Sequence, residues 1–224
     1  MSNQLREILN PGSIAIVGAS EKGRGGGFVS PLIDFGFEGP IYPVNPKYKE
    51  ISGLACYPSV KDIPGNVDYV ISSVPSTVAL DLMRDCVEKG VKCVHYFTAR
   101  FSETGRPEDA ALEQEILKTA KQGGVRIIGP NCMGLYNPGA GISMNNGMPK
   151  ESGRVGFSSQ SGGVLMQMAG SSAQRGLRFS TAVSYGNAID LNECDYLEHF
   201  ADDPETDLIL MYIEGIKAGR RFIP

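Results

Sequence analysis

The sequence predicts an α/β protein built on a doubly wound parallel sheet, and three observations carry that expectation. Short runs rich in Ile and Val alternate along the chain with helical patterns. The runs are near-continuously apolar rather than polar on every second residue, as strands covered on both faces are. Turn-forming residues fall between the runs instead of in one tract: 28 glycines and 14 prolines punctuate the whole chain, and no disordered segment stands out.

Taken in order, Ser13–Val17 is the first strand; a glycine-rich turn follows, then a helix near Phe28–Phe35, and Pro40–Val44 is the next strand. Val67–Val74 leads into a helix over Ser76–Lys89, Val91–Phe97 into one over Pro107–Gln122, and Val125–Ile128 closes the series. This is one Rossmann-type domain over residues 1–138. After a loop rich in Gly, Asn and Pro (Asn137–Gly153), the alternation restarts in a second domain over residues 150–224. Its elements are a strand Arg154–Phe157, a helix Gly163–Ala173, a strand Phe179–Val183, a helix Leu191–Ala201 and a strand Leu208–Ile213. Lys217–Pro224 reads as a helix that has barely begun. Three strands without a last helix leave a sheet face uncovered, so the second domain is expected to be truncated at its C-terminus.

Composition excludes several classes. With 42% hydrophobic and 21% charged residues, a net charge of −4 and no cluster of Lys and Arg, nothing points to nucleic acid or a membrane surface. No apolar run approaches the roughly 20 residues that span a bilayer, and the polar first ten residues lack a signal-peptide core. The five cysteines, Cys56, Cys86, Cys93, Cys132 and Cys194, share no metal-ligand spacing; reduced thiols in the cytoplasm are the economical reading, with no metal site expected.

The strand ends carry the chemistry. The first closes on Val17-Gly18-Ala19-Ser20, followed by Gly23, Gly25, Gly26 and Gly27. Glycines there let backbone N–H groups approach a phosphate at a helix start, or make a tight turn that binds nothing. The spacing is neither GxGxxG nor a Walker loop. The second strand ends Val44-Asn45-Pro46-Lys47, with an ammonium where NAD-binding domains place a carboxylate; that polarity suits a ribose phosphate, as in NADP or coenzyme A, unless Lys47 is an ordinary surface lysine. Val74-Pro75 and Gly129-Pro130-Asn131-Cys132 end two further strands, and Cys132 reads as a buried, unreactive thiol. Ser161, with Gly162 and Gly163, opens a helix either as an anion site or as a bare cap. Glu214 sits at the last strand end. His95, inside a strand, reads as a core or edge residue; His199, four residues after Asp195 on a helix, reads as half of a solvated ion pair.

These segments together resemble the NDP-forming acyl-CoA synthetases, whose alpha portion is similar to the succinyl-CoA synthetase alpha subunit. The resemblance runs in order through Ile16-Val17-Gly18-Ala19-Ser20, Val44-Asn45-Pro46-Lys47-Tyr48, Cys56-Tyr57-Pro58-Ser59-Val60, Gly129-Pro130-Asn131-Cys132, Ser159-Gln160-Ser161-Gly162, Tyr185-Gly186-Asn187 and Tyr212-Ile213-Glu214-Gly215. It implies a Rossmann-type CoA-binding domain followed by an incomplete flavodoxin-like, succinyl-CoA synthetase-like domain. The implied reaction joins a carboxylate to coenzyme A at the expense of ATP or GTP, through an acyl phosphate and a phosphorylated histidine.

By the same resemblance, Gly18, Ala19 and Ser20 lie along the coenzyme A pyrophosphate. Lys47, with Asn45 and Pro46 beside it, meets a phosphate. Val74, Pro75, Thr98, Asn131 and Cys132 line the path of the pantetheine arm. Ser161 and Gly162 face the phosphohistidine, and Glu214 orients it. Two departures stand out. Thr98-Ala99-Arg100-Phe101 replaces a Ser-Ala-Gly-Phe segment frequent in relatives, putting an arginine beside the thiol path. The histidine motif expected beyond Glu214 is missing before Pro224, as is the ATP-grasp half. The chain is therefore expected to be a fragment or subunit, inactive without the remaining ligase and ATP-grasp domains. A non-catalytic CoA-sensing or scaffold module, or an NADP-binding protein, are the alternatives.

Overall fold

A computed structural model describes residues 2–21 and 26–223; Gly23 and Gly25 of the glycine-rich turn, and Pro224, lie outside the described residues. The first strands in chain order are β1 (Ile14–Val17), β2 (Ile41–Val44), a short antiparallel pair β3 (Glu50–Ile51) and β4 (Leu54–Ala55), then β5 (Tyr69–Ser72), β6 (Cys93–Tyr96) and β7 (Arg126–Ile128). All but β3 and β4 form one parallel sheet in the order β2-β1-β5-β6-β7. Ile14 stands level with Ile41 on one side and Tyr69 on the other. The chain steps from β1 outward to β2, then returns to lay β5 on the opposite side, which leaves a crevice at the carboxyl ends of β1 and β5.

Pleating divides the apolar strand residues between two cores. Ile14, Ile16 and Ile71 face one, while Ala15, Val70 and Val94 face another with Leu82, Met83 and Cys86. The helices that cover the sheet are α1 (Ser2–Leu9), α2 (Val29–Phe35), α3 (Ala79–Lys89) and α4 (Pro107–Gly123), with α3 packed on α4. Proline and two acids, Glu108 and Asp109, in its first turn suit α4 to start where it does. Helix α1 is an element beyond those the sequence predicts. Its Leu5, Ile8 and Leu9 recur at i, i+3 and i+4 and are all buried, but two turns of helix give too short a pattern to read without the surface it packs on.

The second sheet comprises β8 (Gly134–Tyr136), β9 (Val155–Ser159), β10 (Phe179–Ser184) and β11 (Leu208–Tyr212), in the order β11-β9-β10-β8. The last three are mutually parallel, and β8, another element the sequence did not announce, runs antiparallel to β10. Helices α5 (Gly162–Ser172), α6 (Glu193–Asp202) and α7 (Gly219–Phe222) accompany it. A capping box starts α6: Asn192 accepts from Cys194, and the Asp195 carboxylate accepts from the Asn192 N–H at 2.8 Å.

The two sheets share a core in which Ile14, Ile71 and Ile128 join Leu135, Val183 and Tyr196. They are also laced at an edge. Residues 187–191 run along the free side of β7, where Asn187, Ile189 and Leu191 donate backbone N–H groups to Pro130, Gly129 and Ile127. The Asp190 carboxylate takes Arg126 Nε at 2.8 Å and the Ile127 N–H at 2.9 Å. That covers an edge which would otherwise offer unpaired groups.

His199 is not half of a solvated ion pair; it is 5% exposed, beside Phe200, and burial lowers its pKa. Asp195 is engaged instead with its own helix cap and with Arg221 at 3.0 Å. Helical spacing placed the two residues on one face but could not show that α1 packs against α6 and shields the imidazole.

Candidate functional site

Gly18 ends β1 with φ of +89°, in the left-handed region, and a Cβ there would lie 2.7 Å from Ser73 Oγ. Only glycine lets the ends of β1 and β5 close to this distance, with Ser73 Oγ donating to the Val17 carbonyl at 3.1 Å. Beyond it opens a cleft of about 630 Å³ whose walls include Gly18, Asn45, Pro46, Lys47, Ser59 and Val74. Asn45 builds the turn: Nδ2 donates to the Ala19 carbonyl at 2.7 Å, and Oδ1 accepts the Lys47 N–H at 3.0 Å. Lys47 is exposed and enters none of the ion pairs among the described residues. Two acids share the cleft wall, but Asp85 is paired with Lys61 at 2.9 Å and Asp81 with Arg84 at 2.8 Å. Among the described wall residues, the uncompensated charge is the lysine's.

A second cleft, of about 570 Å³, continues from the first; Ser73, Val74 and Pro75 line both. Thr98, Asn131, Cys132 and Met133 form its floor, and Gly162 and Gly163 its far wall. Thr98 Oγ1 donates to the Val74 carbonyl, and the Asn131 N–H donates to the Thr98 carbonyl at 3.0 Å, so three strand ends are tied together. Cys132 is buried, with Sγ 3.8 Å from the Tyr96 carbonyl, and burial pushes its thiol up, away from reactivity. Below it, His95 is fully buried in β6, pushed down to about 4 by that burial, with Nε2 3.1 Å from the Cys132 carbonyl. A carbonyl partner requires the proton on Nε2. This histidine is a neutral strut.

Ser161 is the N-cap of α5, its Oγ accepting from the Val164 N–H at 3.3 Å. Among the described residues, the N–H groups of Gly162 and Gly163 have no acceptor, and they line the second cleft. Cap and open amides thus coexist. Gly162 lies close to the first unit: a Cβ on it would meet Met133 Cγ at 2.6 Å. Glu214 is exposed at the end of β11, beside β9 and on the same edge as Ser161; Gln160 links the two, its Oε1 accepting the N–H groups of Glu214 and Gly215.

The structure thus gathers Gly18, Asn45, Pro46, Lys47, Val74, Pro75, Thr98, Asn131, Cys132 and Gly162 along one continuous groove. Ala19 differs, its side chain being fully buried in the core, while Ser20 is half-buried and Glu214 lies outside both clefts. Ser73, Phe97 and Met133 carry no role in the expectations from sequence, and Gln160 enters them only as part of the Ser159-Gln160-Ser161-Gly162 segment. Ser73 and Met133 directly follow or adjoin flagged residues, so their signal was proximity; nothing local marked Phe97.

A parallel sheet with glycine at its switch point, and a lysine beyond the neighbouring strand, defines a doubly wound domain whose ligand cleft lies at its carboxyl edge. Residues 12–138 match the family described as CoA binding domain, and the chain belongs to that family. Residues 152–224 match the succinyl-CoA ligase like flavodoxin domain. The chain is 40% identical over 98% of its length to an ADP-forming acetate–CoA ligase I of Archaeoglobus fulgidus, covering 32% of that protein. It is also 40% identical to an ADP-forming acetate–CoA ligase II subunit alpha of Pyrococcus furiosus, over 96% of the chain and 47% of the subunit. A dinucleotide-forming acetyl-coenzyme A synthetase 1 of Ca. Korarchaeum cryptofilum, solved with phosphate and ADP, superposes with a TM-score of 0.91 at 39% identity, covering all of this chain and 48% of that one. The chain therefore spans between about a third and a half of the length of these relatives.

Proposed function

We propose that this chain is the coenzyme A-binding portion of an NDP-forming acid–CoA ligase, which converts a carboxylate, coenzyme A and ATP to acyl-CoA, ADP and phosphate through acyl phosphate and phosphohistidine. One observation carries the reading: among the described residues, a single groove runs from the unpaired cation at Lys47, past the glycine at the β1–β5 crevice, to the open amides of α5. Its parts fit the parts of coenzyme A. Lys47 suits the ribose phosphate, and the absence of a Cβ at Gly18 leaves the backbone accessible to the pyrophosphate. Val74 and Pro75 offer an apolar passage for the pantetheine arm, ending at Thr98, Asn131 and Cys132.

When bound, coenzyme A supplies the thiol that accepts the acyl group. This chain's residues bind and orient it: the strand ends tied by Thr98 and Asn131 hold the thiol end, and the Gly162 and Gly163 N–H groups stand ready for phosphoryl oxygens. Cys132, kept protonated by burial, does not compete as a nucleophile. Neither His95, buried as a strut, nor His199, buried at α6, suits phosphoryl transfer, so that step belongs to a remaining ligase portion and the nucleotide site to an ATP-grasp portion or subunit. The alpha-subunit relative supports such a partner. A cytoplasmic setting agrees with five unpaired cysteines and with the lack, among the described residues, of a helix long and apolar enough to cross a membrane.

Calorimetry decides it. The chain should release heat with coenzyme A and none with NADPH, and should form no thioester from acetate, ATP and coenzyme A by itself. A folded protein that shows no heat with coenzyme A overturns the proposal.

A further inference from the structure

We infer that Asn187, on the segment after β10, is a positioning residue for the thiol end of the groove; the inference rests on the coenzyme A reading above. Asn187 Nδ2 donates to Glu103 Oε2 at 2.7 Å and to Glu113 Oε2 at 3.0 Å. One amide thus draws together two carboxylates that would repel each other without it. Both carboxylates then hold the main chain of a single turn. Glu103 accepts the N–H groups of Arg100 and Phe101, and Glu113 accepts the N–H and the hydroxyl of Ser102 at 3.2 and 2.8 Å.

That turn is not a relaxed one. Arg100 sits at φ of +79°, a region that side chains larger than glycine's rarely adopt, and it keeps this conformation because Glu103 takes two successive amides. Glu103 stays below its ordinary carboxyl value: burial works to raise it, but the Asn187 amide and the turn's N–H groups outweigh burial. The residues just before the turn, Thr98 and Ala99, line the thiol end of the groove.

The main chain of the same segment reaches the neighbouring strand end. Asn187 N–H donates to the Pro130 carbonyl at 3.0 Å, and a Cβ on Gly186 would lie 2.2 Å from that oxygen, so only glycine lets the approach occur. Asn131 and Cys132, which follow Pro130, line the groove beside Thr98. Side chain and backbone of Asn187 therefore hold both neighbouring segments at the thiol end. The phosphate end, at Gly18 and Lys47, has no part in this network.

The division sets the test. Affinities of the full chain for coenzyme A and for adenosine 3′,5′-bisphosphate, which lacks the pantetheine arm, are compared among variants. Asn187→Ala should weaken coenzyme A roughly tenfold and leave the bisphosphate unchanged. Asn187→Asp, placing a third carboxylate against two, should weaken it further. Adding Glu103→Gln to that variant should restore part of the loss, because the new amide donates to the new carboxylate. Equal losses for both ligands, or no loss with either single variant, overturn the assignment. Hydrogen exchange at residues 100–102 gives a ligand-free readout: acceleration in Asn187→Ala supports the assignment, and unchanged exchange overturns it. If the wild-type chain binds no coenzyme A, the functional proposal fails, while the exchange measurement still decides whether Asn187 holds the turn.

Discussion

β1 and β9 hold equivalent places in their sheets, yet among the described residues they end differently: β1 opens on the first cleft, while a buried glutamine follows β9. From each, the chain steps to a neighbour on one side and later returns to add a strand on the other: β2 then β5 around β1, β10 then β11 around β9. Both arrangements leave a crevice at the carboxyl edge. At β1 the crevice is open, because Gly18 contributes no side chain and the side chain that bridges there is the short Ser73 hydroxyl. At β9 the crevice is filled by Gln160, which is 8% exposed; its Oε1 accepts from Glu214 and Gly215, and its Nε2 donates to the Gly215 carbonyl at 3.0 Å. Topology offers two sites, and one residue at each strand end decides which is available. The start of α5 is consequently turned to the first sheet's edge, where Gly162 meets Met133.

Four perturbations test this contrast. The largest effect belongs to Gly18→Val: a branched side chain at a positive φ, aimed at Ser73, should take coenzyme A binding beyond the reach of calorimetry while thermal melting shows a folded protein. Wild-type affinity in that variant would mean that the open crevice is not the site.

Acid should expose the buried histidines of the two regions. His95 titrates at about 4 in the folded chain against an ordinary 6.5, so between those values the unfolded chain binds more protons. Its contribution is complete above pH 6.5 and is lost as pH falls toward 4, by roughly 3 kcal/mol in all. His199, also lowered by burial, adds in the same direction. Urea unfolding across this range should show the decline, and His95→Gln should flatten most of it; an unchanged slope would argue against the neutral strut.

Lys47→Ala should cost about 1.5–3 kcal/mol of coenzyme A affinity and much less for the 3′-dephospho form. Equal losses would return Lys47 to the ordinary solvated surface. The smallest effect is expected at the closed crevice. Gln160→Ala removes three hydrogen bonds to residues 214–215 and should lower the unfolding free energy by about 1–2 kcal/mol, with coenzyme A affinity unchanged. A matching fall in affinity would show that the second crevice takes part in binding.

Much of this architecture could be read from local pattern. The parallel strands, the helices between them and the position of the Gly18 and Lys47 turns follow from apolar periodicity and turn chemistry, which act within a few residues of chain. The same holds for the Ser161 cap, whose bond reaches only to Val164. What tertiary structure alone decided depends on partners far apart in sequence. Leu5, Ile8 and Leu9 become a helix face because α6 is there to cover them, β8 becomes a strand because β10 presents an edge, and His199 loses water to the packing of α1. Gln160 closes one crevice through residues more than fifty positions away, and Asn187 joins two carboxylates of the other unit. Short-range patterns specify which segments are strands and where the chain turns; which crevice stays open is settled by single side chains whose partners only folding brings within hydrogen-bonding distance.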